Sequence, residues 1–232
     1  FYVDRDKTLL YAQEADSLSE LIEYTKGKAL SLKNIGLCYY ARSEFDTALV
    51  CYEQSLELFS EIGDAGGKAK IYNNIGIIYE LTGDYRKASD YYMKSLKLKK
   101  ELGDSLGMAS CYNNIGIVNH NMGDYPKALE YYQKCLHIET ALADSSGMAG
   151  SFNNIGAIYF ELDEYEKALD YHKRSLNMKT ALLDSTGIAS AFNNIGVIYN
   201  EQEKYKEALE NYKKAVFFAD AIESVQKSAL YY

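Results

Sequence analysis

Read from Tyr72, the residues Tyr72, Ile75, Gly76 and Tyr79 follow the i, i+3, i+4, i+7 spacing of one helical face. The pattern breaks at Thr82-Gly83-Asp84-Tyr85, where Gly83 suits a left-handed helix stop and Asp84 suits an N-cap. A second stripe, Tyr85, Ala88, Tyr92, Ser95 and Leu96, predicts a second helix. Leu102-Gly103-Asp104-Ser105-Leu106-Gly107 closes it and caps the next. Turns this short make successive helices antiparallel.

Shifted by 40 residues, the chain falls on itself. Gly36, Gly76, Gly116, Gly156 and Gly196 share one column, and Ala48, Ala88, Ala128, Ala168 and Ala208 share another. Phe45, Tyr85, Tyr125, Tyr165 and Tyr205 form an aromatic column. Asp64, Asp104, Asp144 and Asp184 each precede a glycine by three residues. Glycine inside a helix costs about 1 kcal/mol relative to alanine, so the first column needs a packing reason. The expectation is that Gly76 lets the two helices of a repeat approach closely, with Ala88 as its small counterpart. Tyr72, Tyr79, Tyr85 and Tyr92 would then fill the space around that contact. The same demand accounts for 23 tyrosines in a chain without tryptophan.

Aromatic–x–x–Ile-Gly–x–x–Tyr followed by aromatic–x–x–Ala–x–x–x–Tyr resembles the tetratricopeptide repeat, a helix–turn–helix unit that stacks into a solenoid. The 40-residue period is similar to the longer subclass seen in kinesin light chain and in many bacterial regulators. The resemblance implies an all-α fold, a right-handed α-solenoid of antiparallel helix pairs, and it covers essentially the whole chain. Departures are local. Asn119 and His172 stand in tyrosine columns, and Ser43, Asp163 and Glu203 stand where Gly83 and Gly123 end a helix.

The repeats are expected at 27–66, 67–106, 107–146, 147–186 and 187–226, after the second helix of an incomplete repeat within 1–26. That helix is matched through Leu9, Ala12 and Ala15, and residues 227–232 are expected to open a further helix. Both ends lack the polar caps that solenoids use for solubility, so the natural protein is expected to continue in both directions.

Nine asparagines recur inside the first helices: Asn34, then Asn73-Asn74, Asn113-Asn114, Asn153-Asn154 and Asn193-Asn194. Asparagine is a poor helix former, and nine together cost about 5 kcal/mol. At about 100° per residue, Asn74 lies about 200° from Tyr72 and points away from the buried face. If first helices line the inner surface, as the resemblance implies, Asn34, Asn74, Asn114, Asn154 and Asn194 form a ladder along a concave groove. Free amides there could pair with the main chain of an extended peptide, since each carries donor and acceptor. Asn73, Asn113, Asn153 and Asn193 lie on the flank. They are open to a ligand role and to hydrogen bonds between neighbouring repeats. Lys33, Lys70, Ile77, Ile117, His120, Phe160 and Glu161 complete the candidate peptide-binding set, with Leu37, Glu80, Val197, Asn200 and Glu201 beside them. Early repeats offer positive charge and later ones negative charge. The clamp used by chaperone-tail receptors needs recurring basic residues, and Ser110, Gly150 and Ser190 replace Lys70 in its column.

A formal charge of −8 and a pI near 5.0 argue against a nucleic-acid surface or an anionic membrane surface. No apolar run approaches a membrane span. Cys38, Cys51, Cys111 and Cys135 show no CxxC spacing, and no phosphate loop, HExxH or EF-hand pattern occurs. Cys111 and His120, nine positions apart, fall on opposite sides of one helix. The sequence therefore predicts a non-enzymatic interaction region that needs no cofactor or metal. Its expected partner is a protein or peptide segment, without nucleic-acid binding or membrane insertion. Self-association through exposed end repeats and a regulatory role beside an output domain are the alternatives. A cytoplasmic location is expected, with the periplasm left open.

Overall fold

The computed structural model describes the backbone of residues 5–229 and the side chains of residues 7–221. Among the described residues every regular element is a helix. They divide into two compact units, Phe1–Met122 and Gly123–Tyr232. The first unit holds α1 (Arg5–Leu21), α2 (Thr25–Ala41), α3 (Phe45–Glu61), α4 (Ala65–Leu81), α5 (Tyr85–Glu101) and α6 (Ser105–Asn121). The second holds α7 (Tyr125–Ala141), α8 (Ser145–Glu161), α9 (Tyr165–Ala181), α10 (Ser185–Glu201) and α11 (Tyr205–Ala229). Within each unit every helix packs against its sequence neighbours, and α2 also touches α4.

Helices α1 to α10 each have 17 residues, and a three-residue turn follows each. Asp64, Asp84 and Asp104 cap α4, α5 and α6 by accepting from the N–H groups of Gly67, Lys87 and Gly107. Asp124, Asp144 and Asp184 do the same for α7, α8 and α10. Where glycine is missing from the turn, the backbone stays left-handed. Ser43, Asp163 and Glu203 have φ of 62°, 58° and 59°, close to the 68° of Gly63. Tertiary packing on both sides imposes the turn even where the local residue resists it.

The glycine column works differently from the expectation. The neighbour of Gly76 is the ring of Tyr92 rather than Ala88, and a Cβ on Gly76 would lie 2.6 Å from that ring. Gly36 meets Tyr52 and Gly196 meets Tyr212 in the same way. Tyr52 and Tyr92 are almost wholly buried, so these repeats insert a tyrosine from the second helix over a bare backbone on the first. In three of the repeats a buried hydroxyl then ties the pair: Ser55 donates to the Ala29 carbonyl, Ser95 to Ala69 and Ser175 to Ala149, each at 2.7 Å.

Two boundaries differ from expectation. First helices begin at Thr25, Ala65, Ser105, Ser145 and Ser185, two residues before the expected repeat starts, because the cap is the aspartate of the turn wherever one is present. Residues 227–229 continue α11 instead of opening another helix, while 1–4 and 230–232 lie outside the described residues.

Candidate functional site

The candidate residues lie on the first helices, α2, α4 and α6 in one unit and α8 and α10 in the other. In the first unit, Lys33 of α2 and Lys70 of α4 face each other across a cavity of about 230 Å³ that Leu30, Phe59 and Gly67 also line. Asp64 borders the same cavity, but its carboxylate is taken by Lys26 at 2.9 Å. Neither Lys33 nor Lys70 closes a salt bridge among the described residues, although, after the Gly107 N–H and Lys99, the Lys70 charge helps hold the Asp104 carboxyl below its ordinary value. Burial, then the adjacent Lys70 charge, holds the Lys33 ammonium below the ordinary lysine value. Two neighbouring cations over an apolar floor attract an anionic group.

The inner amides are not free as expected. Asn114 donates to the Oδ1 of Asn73 at 3.2 Å and accepts from Asn113 at 3.4 Å. In the second unit Asn194 donates to the Oδ1 of Asn153 at 3.0 Å. Asn114 and Asn194 thus each reach the flank asparagine 41 residues earlier, because these successive first helices lie close enough for the amides to meet. The carboxamide of Asn74 bonds the hydroxyl of Tyr52, and Asn154 is also engaged. Asn34 and Asn193 are exposed. A carboxamide has four hydrogen-bonding positions, so Asn114 keeps one N–H and one lone pair for another partner.

Ile77 and Ile117 are half-buried beside the amides of α4 and α6. His120, near the end of α6, is half-buried and already partnered. Phe160 and Glu161 depart from the expectation. The Phe160 ring packs against Tyr165 at 5.9 Å, and Glu161 accepts from the Tyr125 hydroxyl at 3.5 Å. Six positions of helix turn Phe160 about 120° from Asn154, toward the second helices. Glu80 is likewise withdrawn, since it accepts the hydroxyl of the buried Tyr92 at 2.6 Å.

Sequence reasoning missed Phe59 and the Lys26–Asp64 pair that shape the cavity. The signal was present, since Phe59 interrupts a column that continues as Lys99, Glu139 and Lys179.

The reactive groups are sequestered. All four cysteines are free and buried, and burial pushes the Cys38, Cys51 and Cys111 thiols up. Among the described residues no cluster of three or more His, Cys, Asp or Glu is arranged to hold a metal. Nor is any described helix long and apolar enough to cross a membrane.

Family models described as tetratricopeptide repeat match residues 27–101, 147–216 and 109–139. BtubC (BKLC) from P. vanneervenii is similar in structure, with a TM-score of 0.84 and 19% identity over 95% of this chain and 93% of that one. The apo form of RapI gives a TM-score of 0.76 and 21% identity over 92% of this chain and 62% of that one. NprR in complex with its cognate peptide NprX gives 0.65 and 19% over 95% and 68%. Among curated proteins none matches significantly.

Proposed function

Since the chain belongs to the tetratricopeptide repeat family, we propose that it is a non-catalytic interaction module that binds a peptide or protein segment on the faces of its first helices. The observation that carries this reading is the pair Lys33 and Lys70, two cations lining one cavity without a salt bridge to either. Two like charges held together lower stability unless an anion joins them, so the pair suits an acidic side chain or a terminal carboxylate. The spare donor and acceptor of Asn114 suit the main chain of the same segment, with Ile77 and Ile117 as apolar contacts. NprR, which shares the fold, was solved with a peptide bound.

The test is selection from a phage-displayed library of random 12-residue peptides on the wild-type protein and on K33E/K70E. Enrichment of acidic peptides on wild type and its loss on the variant are expected, with unchanged melting. Equal enrichment on both proteins would refute the assignment.

A second reading, a sensory region that governs an output module, is favoured by α11. It has 25 residues where the other ten helices have 17, so it runs through the point at which the others turn. A continuous helix is a stiff connector of about 1.5 Å per residue. On this reading a selected peptide slows amide exchange along α11; unchanged exchange there counts against it.

A further inference from the structure

Three lysines border the cavity between α2 and α4, and their surroundings differ. Lys26 is exposed and pairs with the Asp64 carboxylate at 2.9 Å, a hydrogen-bonded contact that pushes its pKa up. Lys70 is exposed on the cavity's edge. Lys33 is half-buried and closes no salt bridge among the described residues, and burial followed by the Lys70 charge pushes its pKa down. The difference traces to Phe59. In its column Lys99 and Lys179 pair with the turn aspartates Asp104 and Asp184 at 3.1 and 3.5 Å. A phenyl ring cannot do so; Asp64 draws its cation from α2 instead, and the ring walls the cavity with carbon.

Only a neutral amine is a nucleophile, and lysine approaches that state where burial and a neighbouring cation both disfavour its charge. The cavity supplies both to Lys33. Lys26, with a carboxylate at its side, is held in the opposite state. The neighbour that disfavours charge on Lys33, the Lys70 ammonium, is itself open to an anion. A molecule suited to this pair carries an electrophilic carbon and an anionic group a short distance apart, and a cavity of about 230 Å³ limits it to small size.

We propose that Lys33 is a covalent modification site: its Nζ condenses with a small aldehyde that carries a carboxylate or phosphate, and Lys70 holds that anion. In the step the Nζ lone pair forms a C–N bond to the carbonyl carbon. The carbonyl C–O bond then breaks, both N–H protons leave with that oxygen as water, and a Schiff base remains, with nothing oxidised or reduced. The adduct fills the cavity, so it closes the anion site to an acidic peptide while it lasts. The inference shares the lysine pair with the function proposed above but needs no peptide to bind.

The probes are 4-carboxybenzaldehyde and benzaldehyde, which differ in the carboxylate, each trapped by sodium cyanoborohydride on the purified protein. Initial labelling rates of each lysine are read from peptide masses. With 4-carboxybenzaldehyde Lys33 is expected to react about tenfold faster than Lys26 or the exposed Lys173, and to prefer the carboxylate reagent where Lys173 does not. Lys70→Ser, the residue that Ser110 and Ser190 provide in the same column, is expected to abolish that preference; should it not fold, Lys70→Gln is read the same way. A Lys33 rate matching those of Lys26 and Lys173, or a carboxylate preference that survives the loss of Lys70, overturns the proposal. Unselective labelling leaves the acidic-peptide selection standing, and a failed selection leaves the labelling standing, so the two assignments fall separately.

Discussion

His172 stands in the column of Tyr52, Tyr92 and Tyr132, almost wholly buried beneath the bare backbone of Gly156. Its Nδ1 has no hydrogen-bond partner, and burial lowers its pKa from 6.5 to about 4. The folded protein therefore holds it neutral, while the unfolded chain takes up a proton near pH 6.5. The stabilising effect of the neutral ring is complete above that pH and is lost as pH falls toward 4. Across the whole interval this amounts to about 3 kcal/mol, and to about 2 kcal/mol by pH 5. His172→Tyr removes the titration and restores the ring used elsewhere, with Asn194 placed for residue 172 as Asn74 is placed for Tyr52. Urea unfolding of both proteins at pH 7.5, 6 and 5 isolates the effect, since contributions from the carboxylates cancel in the difference. The variant's advantage should widen by about 2 kcal/mol between pH 7.5 and 5. A gap independent of pH would show that the imidazole is not held neutral by burial.

Gly76→Ala should destabilise by about 1–2 kcal/mol, because its new Cβ lies 2.6 Å from the buried Tyr92 ring and overpacking outweighs the helix-propensity gain. Gly150→Ala, inside α8 with nothing within 4 Å of its new Cβ, should stabilise by about 1 kcal/mol in the same thermal melts. Opposite signs are required; a shared sign refutes the packing account of the glycine column. Ser151→Ala should cost about 1–3 kcal/mol although its counterpart Ala191 is already alanine, because Ser151 donates at 2.6 Å to the buried carboxylate of Glu139. Glu139→Gln in the Ser151→Ala background should recover part of that loss in urea titrations, and no recovery would detach the effect from the carboxylate.

Helix positions, caps and the glycine and alanine columns were legible because each is a local demand repeated in register. The partner of Gly76 was not, since shifting the chain on itself identifies equivalent positions but not which of them touch. Ala88 and Tyr92 recur equally well, and only the packed helices show that the ring lies on the glycine. The amides failed for a related reason. A helical wheel turns Asn114 away from its own second helix, yet it is silent about Asn73 on the preceding first helix. The burial of Glu139 had no signal in its own column, which also holds Lys99 and Lys179. What needs the structure is the partner: Ser151, in a column with Ser31, Ile71, Cys111 and Ala191, supplies the hydroxyl that the buried carboxylate accepts.

Recurrence and function separate along these lines. Residues that obey a column meet a requirement common to every repeat, such as a bare backbone under a ring or an aspartate on a helix end, so they carry little information about a ligand. Lys33 breaks a column that is asparagine in every later repeat, and Lys70 breaks one that continues as Ser110, Gly150 and Ser190. Ala12 breaks a column of aromatic rings, but it is buried with Leu9, Ile35 and Cys38. Breaks of this kind cost the array an interaction that its other repeats keep, and a binding partner can supply what is missing. Phe59 shows the limit of that inference. It also breaks its column, but its ring is almost wholly buried over Gly67, so the array compensates within itself. Lys33 and Lys70 instead line an open cavity without closing a salt bridge, which is why the binding assignment falls on them.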